Sequence, residues 1–169
     1  MSSNAPGGRL RLGRGVVQAN VRAARRARPA ETGGILLGYR DGAGIVVTDA
    51  VEIIDASASP AAYRRRRRVA QEALDTALTR EHDALVGYVG EWHSHLGRQP
   101  ASRQDRLELA DLARLAGDSV ALLVIMVRDR QHQLDAHIAT PAGVLPYPVV
   151  DMINVLDARL EILGRRQHA

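Results

Sequence analysis

Hydrophobic positions along the chain follow two spacings, which together predict a mixed α/β fold. Apolar residues three and four positions apart predict helices over residues 16–28, 63 or 68 to 81, 102–116 and 152–164. Apolar runs between turn residues predict strands over residues 34–40, 45–54, 85–95, 120–128 and 134–140. The run from Val120 to Arg128 is apolar almost throughout, as in a strand buried on both faces. The pattern therefore indicates a mixed central β-sheet flanked by helices.

Length and composition favour one cytoplasmic domain. The chain has 169 residues, 46% of them hydrophobic, which suits a single sheet and its covering helices. We assign residues 1–14 to a flexible N-terminus and residues 15–169 to one domain. No run of eighteen apolar residues and no signal-peptide pattern is present, so we expect a cytoplasmic location and no membrane partner. Because cysteine is absent, metal ligands must be His, Asp or Glu.

The candidate chemistry is concentrated in Glu91-Trp-His-Ser-His95 and the following Ser102-Arg-Gln-Asp105. Side chains alternate along a strand, so His93 and His95 project from the same face. Asp105 falls in the first turn of the next predicted helix. A strand end and a helix start can thus bring two imidazoles and a carboxylate to one point. Three protein ligands, with a fourth position open to water, are typical of catalytic zinc.

The pair Ser102 and Asp105 has a second interpretation. Ser-x-x-Asp before an apolar run is also a helix cap, in which the serine accepts a backbone N–H and the acid lies at the positive end of the helix. The two interpretations are compatible, because one carboxylate can both cap a helix and bind a metal.

The motif His93-Ser94-His95 with Ser102 and Asp105 closely resembles the signature of the JAMM (MPN+) metalloproteases. These are zinc isopeptidases that remove ubiquitin and ubiquitin-like proteins. The resemblance runs from about residue 16 to residue 140. It implies the MPN/JAB fold, an α/β fold shared with cytidine deaminases. It also implies one zinc ion per chain, held by His93, His95 and Asp105, with Ser102 donating a hydrogen bond to the oxyanion.

The resemblance also implies the identity of the general base. The segment Pro29–Gly38 is similar to the family segment that carries the catalytic glutamate, which assigns that role to Glu31. Glu91 is the rival, because alternation puts it on the same strand face as the two histidines. It lies two residues before the first histidine, about 7 Å along the strand, which suits a supporting role better than contact with the zinc water. We therefore favour Glu31.

The chain departs from the family pattern after the second histidine. The family usually has proline there and seven residues before the serine, whereas this chain has Leu96 and six residues. Gly97 tolerates unusual dihedral angles and Pro100 fixes its own, so together they can shorten the turn.

The implied function is cleavage after the C-terminus of a ubiquitin-like protein, as deconjugation or precursor processing. The sequence Gly90–His95 is most similar to the prokaryotic branch of the family. Members of that branch often accompany ubiquitin-like proteins, some of them in antiviral operons. The implied partners are the ubiquitin-like protein, its conjugates, and homologues of ubiquitin-activating and ubiquitin-conjugating enzymes. No sequence feature predicts the substrate-binding residues.

Two other functions are weaker alternatives. A non-catalytic MPN-type scaffold would not require the five residues Glu31, His93, His95, Ser102 and Asp105. Nucleic-acid binding would rest on the run Arg64–Arg68 alone, which has no interleaved aromatic residues. A zinc deaminase is excluded, because its site needs cysteines.

Overall fold

The computed structural model describes residues 8–42, 44–55 and 67–154, which form three helices and one eight-stranded sheet. The helices are α1 (Arg14–Ala27), α2 (Arg67–Arg80) and α3 (Arg103–Ala116). None of the three is both long and apolar enough to cross a membrane. The strands are β1 (Arg9–Gly13), β2 (Gly33–Asp41), β3 (Gly44–Ile53), β4 (Gly87–Leu96), β5 (Val120–Arg128), β6 (Gln131–Thr140), β7 (Gly143–Val144) and β8 (Val149–Ile153). The predicted α/β architecture is confirmed.

Strand directions in the sheet follow from the connections between strands. The order across the sheet is β7-β6-β5-β4-β2-β3-β1-β8. Short turns join β2 to β3 and β5 to β6, and both pairs are antiparallel. β4 and β5 are parallel, because α3 crosses over between them. The strand with both histidines, β4, therefore lies inside the sheet, between β2 and β5.

Helices cover both faces of the sheet, and β5 shows how the two layers are divided. Its residues Val120 to Val127 are all buried, as predicted. Leu123 and Ile125 belong to the hydrophobic cluster that contains the buried face of α1. Leu122, Val124 and Met126 belong instead to the cluster that contains the buried face of α3. Successive residues thus face opposite layers, and α2 packs on β2 and β3 in a third cluster.

The two ends of the described chain differ from the prediction. Arg9–Gly13 forms β1, so the expected flexible start is wrong for these residues. Leu10 and Leu12 are fully buried there, and the strand pairs with β3 and β8. At the other end, β8 includes Met152, so the predicted last helix does not begin at that residue. The rest of that predicted helix lies outside the described residues. Both strands depend on pairing with each other, which the local apolar pattern does not reveal.

The arginine run lies mostly outside the described residues. α2 begins at Arg67, next to the later of its two predicted starts, and Arg68 is the one arginine of the run whose side chain is described. Its guanidinium is exposed and lies 3.5 Å from the Glu72 carboxylate, one helical turn away. Such a pair on an exposed helix face contributes only about 0.2–0.5 kcal/mol. Arg68 therefore belongs to a solvated surface.

Candidate metal centre

The two histidines project from the sheet face that α3 covers. His93 lies beside Gly33 of β2 and Val124 of β5, and His95 lies beside Met126. Val124 and Met126 pack against α3, so the imidazoles share that face. β4 ends directly after them, where Gly97 adopts a φ of 109°, which residues with a side chain rarely adopt. The alternation expected from the sequence thus brings both rings to the start of α3.

Asp105 reaches the same place because a capping box fixes the first turn of α3. The Ser102 hydroxyl oxygen accepts the Asp105 backbone N–H at 3.1 Å. In return, Oδ2 of Asp105 accepts the Ser102 backbone N–H at 2.6 Å. Oδ1 is then turned toward the histidines. The capping interpretation is therefore confirmed, and the same carboxylate also faces the two histidines.

The three side chains meet at distances that suit one metal ion. Nε2 of His93 lies 3.2 Å from Nε2 of His95 and 3.6 Å from Oδ1 of Asp105. Nε2 of His95 lies 4.0 Å from Oδ2 of Asp105. Tetrahedral zinc with bonds of about 2.0–2.1 Å separates its ligand atoms by roughly 3.3–3.4 Å. His93, His95 and Asp105 could therefore hold a metal ion with small movements of the side chains.

The protonation states of these groups also favour a cation. Burial lowers the pKa of His93 from 6.5 to about 4; repulsion from His95 acts in the same direction, and attraction to Asp105 opposes it. The ring is therefore neutral at pH 7, with a lone pair available. Nδ1 of His95 lies 2.8 Å from the Gln99 carbonyl oxygen, which can only accept, so Nδ1 carries a hydrogen and Nε2 is the nitrogen that faces His93.

The third ligand carries the negative charge. Burial by itself raises the pKa of the Asp105 carboxyl, but hydrogen bonds from Ser102 and the nearby histidines outweigh it and lower the pKa overall. Two imidazoles and one carboxylate form a typical ligand set for catalytic zinc.

Glu31 lies beside these groups, between the end of α1 and the start of β2. Its side chain is buried, with 9% of the residue exposed. Burial raises its pKa above the ordinary 4.5; attraction to His95 opposes that rise and repulsion from Asp105 adds to it. The charge of Glu31 therefore interacts with two of the three candidate ligands.

Thr32, which follows Glu31 and directly precedes β2, makes two hydrogen bonds to Ser94 of the histidine strand. The Thr32 N–H donates to the Ser94 hydroxyl oxygen at 3.0 Å, and the Ser94 N–H donates to the Thr32 carbonyl at 2.7 Å. The Thr32 hydroxyl also donates to Glu52 at 2.9 Å, and Glu52 accepts from Arg26 at 2.5 Å. The serine between the histidines therefore points away from the candidate ligands and holds the residue next to Glu31. Its position on the opposite face was predictable from alternation, but its partner was not.

Glu91 occupies the predicted strand face but has another partner. It lies beside Ile35 of β2 and Leu122 of β5, two residues before His93 on the same face of β4. Its Oε1 accepts the Tyr88 hydroxyl at 3.1 Å. Among the described residues, the group of close metal-ligand atoms contains His93, His95 and Asp105, and not Glu91.

Replacing Glu31 by glutamine should stabilise the metal-free protein at neutral pH. A carboxyl whose pKa is raised on folding binds protons more tightly in the folded state, so its charge destabilises the fold above that pKa. Glutamine removes this penalty. The midpoint of thermal unfolding in chelator should therefore rise at pH 7.5, and the difference should shrink as the pH falls toward 4.5. An equal midpoint at pH 7.5 would show that burial does not raise the pKa of Glu31.

Comparison with known proteins agrees with this geometry. The family model described as prokaryotic homologs of the JAB domain matches residues 13–137, which include Glu31, both histidines and Asp105. The solution structure of protein DSY2949 from Desulfitobacterium hafniense is similar, with a TM-score of 0.60 and 22% identity over 86% of this chain and 93% of that one. At this identity the likeness concerns the fold alone. No curated protein matches the sequence.

Proposed function

The chain belongs to the family of prokaryotic homologs of the JAB domain, and we propose that it is a zinc isopeptidase that cleaves after the C-terminus of a ubiquitin-like protein. The observation that carries the proposal is the meeting of His93, His95 and Asp105 at ligand distances, with the buried Glu31 beside them. Perturbed acids next to metal ligands are typical of catalytic sites. A scaffold would gain nothing from burying such a charge.

The proposed cofactor is one zinc ion per chain, held by His93, His95 and Asp105. Two imidazoles and a carboxylate form a usual catalytic zinc ligand set, whereas Mg²⁺ and Ca²⁺ prefer oxygen ligands alone. A bound zinc ion would supply Lewis acidity and lower the pKa of its bound water to about 7.

The proposed roles of Glu31 and Ser102 follow from their surroundings. Glu31 accepts a proton from the attacking water and later passes it to the leaving amine, a double task that its raised pKa favours. Ser102 is exposed at the start of α3, and its hydroxyl oxygen accepts the Asp105 N–H. The hydroxyl hydrogen is then directed to the oxygen of the scissile carbonyl. Donors of this kind contribute about 3–4 kcal/mol to transition-state stability.

The proposed substrate is the bond that follows the tail of a ubiquitin-like protein, in a conjugate or a precursor. The similarity of the histidine motif to the prokaryotic JAMM proteases supports this class. Activating-enzyme and conjugating-enzyme homologues are the proposed partners, in a bacterial conjugation or antiviral system. The loop between His95 and Ser102 is short, and its residues 98–100 are exposed, so an extended tail has access to the centre.

Cleavage should occur at one bond and depend on metal. We would incubate the protein with a ubiquitin-like protein joined to a reporter, once through a lysine isopeptide bond and once through a linear peptide bond. We expect mass spectrometry to show cleavage after the last residue of the ubiquitin-like protein, loss of cleavage with a chelator, and recovery with Zn²⁺. A protein that holds zinc and cleaves neither fusion would support the scaffold instead.

A further inference from the structure

The loop between the two parts of the metal centre is anchored at its last residue. It comprises residues 96–101 and joins the second histidine to Ser102. Residues 98–100 are exposed, whereas Ala101 is only 3% exposed. Ala101 packs in the cluster formed by α3 and β5, together with Leu109 and Val124. The middle of the loop is thus exposed to solvent, whereas its last residue is packed against the start of α3.

Side chains bind both backbone polar groups of Ala101. Its N–H donates to Oδ2 of Asp135 at 2.8 Å. Its carbonyl oxygen accepts the Arg106 guanidinium at 2.7 Å. Because Ala101 directly precedes the capping residue Ser102, these two contacts determine where the first turn of α3 starts. The position of Asp105 in that turn follows from helix geometry.

Asp135 lies in one row with the first metal-ligand histidine. The strand register puts His93 beside Val124 and Val124 beside Asp135, so all three side chains share one face of the sheet. Two strand spacings, about 9.6 Å, separate the backbones of His93 and Asp135. The Asp135 carboxylate is not among the ligand atoms that lie within 4.8 Å of one another. It therefore acts on the centre through Ala101 and not as a ligand.

His137 orients the Asp135 carboxylate. It lies two residues further along β6, on the same face, and its Nε2 is 2.9 Å from the oxygen that accepts the Ala101 N–H. The two side chains are 6% and 15% exposed, so water competes little for these contacts. Oδ2 of Asp135 thus contacts both the Ala101 N–H and His137 Nε2 in surroundings that are largely shielded from solvent. These two contacts hold the carboxylate in one orientation.

We propose that Asp135 is a positioning residue for the metal centre. It fixes Ala101, and this lets Asp105 reach the two histidines across a connection of only six residues. The inference rests on the proposed function, because it assigns the anchor to a metal site. Without this acceptor, the buried Ala101 N–H has to turn toward water, and the capping box moves with it.

The test compares Asp135→Leu, which removes the acceptor and keeps the number and branching of side-chain heavy atoms, with Asp135→Asn, which keeps an acceptor oxygen. We expect the Ala101 amide of the Leu variant to exchange its hydrogen about tenfold faster or more by NMR. We also expect its dissociation constant for Zn²⁺, measured by chelator competition, to rise about 10- to 100-fold. The Asn variant should stay within about threefold of the original protein in both measurements.

Asp111→Leu is the matched control, because Asp111 is exposed on α3 and pairs with Arg114 instead of the loop. It should change neither measurement. Asp135→Glu keeps the charge and displaces it by one carbon, so it should raise the zinc dissociation constant even if the Leu variant does not fold. A folded Leu or Glu variant with unchanged zinc affinity and unchanged Ala101 exchange would overturn the inference. Failure of the original protein to bind zinc would overturn the proposed function, and the Ala101 exchange rates would still decide whether Asp135 fixes the loop.

Discussion

His95→Ala should leave the protein without its metal. The variant keeps two ligands and loses the imidazole whose Nε2 lies 3.2 Å from that of His93. Two protein ligands do not hold zinc firmly, since catalytic sites use three and leave one position to water. Elemental analysis after dialysis should give about one zinc per chain for the original protein and less than about a tenth of that for the variant.

His132→Ala is the matched control for this experiment. His132 is an exposed histidine on β6, so its removal changes the same chemical group without touching the centre. We expect its zinc content to equal that of the original protein. Full occupancy in His95→Ala would mean that the group formed by His93, His95 and Asp105 is not the zinc site.

The parts of the centre that could be predicted from sequence are those set by local geometry. Strand alternation alone puts His93 and His95 on one face. The Ser-x-x-Asp spacing alone gives the cap of α3, and with it the position of Asp105. The two parts meet because α3 immediately follows β4 and crosses the same face. The resemblance added Glu31, whose burial no local pattern indicates.

The parts that could not be predicted depend on pairing between distant segments. β1 and β8 are more than a hundred residues apart in sequence and pair in parallel, so the five residues of each do not show which strand they pair with. The contacts from Ser94 to Thr32 and from Asp135 to Ala101 depend on the order of strands in the sheet. Asp135 in particular has no motif around it. Its partner becomes evident only when β6 is placed next to β5.

Glu31→Gln should separate metal binding from catalysis. Glutamine keeps the size of the side chain and its capacity for hydrogen bonds, but it cannot take a proton from water. Zinc content should therefore stay at about one per chain, while turnover of the ubiquitin-like fusion falls by roughly 10² or more. The comparison requires zinc content and initial rates to be measured on the same preparations.

Glu91→Gln is the matched control, because Glu91 lies on the same face of β4 and accepts from Tyr88. Glutamine can still accept that hydrogen bond, so activity should remain within about threefold. Loss of activity in Glu91→Gln with retention in Glu31→Gln would reverse the assignment of the base. The raised pKa of Glu31 means that its charge opposes folding at neutral pH, so thermal unfolding of the metal-free variants distinguishes loss of the base from misfolding. The variant that loses turnover should be the one whose metal-free form unfolds at the higher temperature.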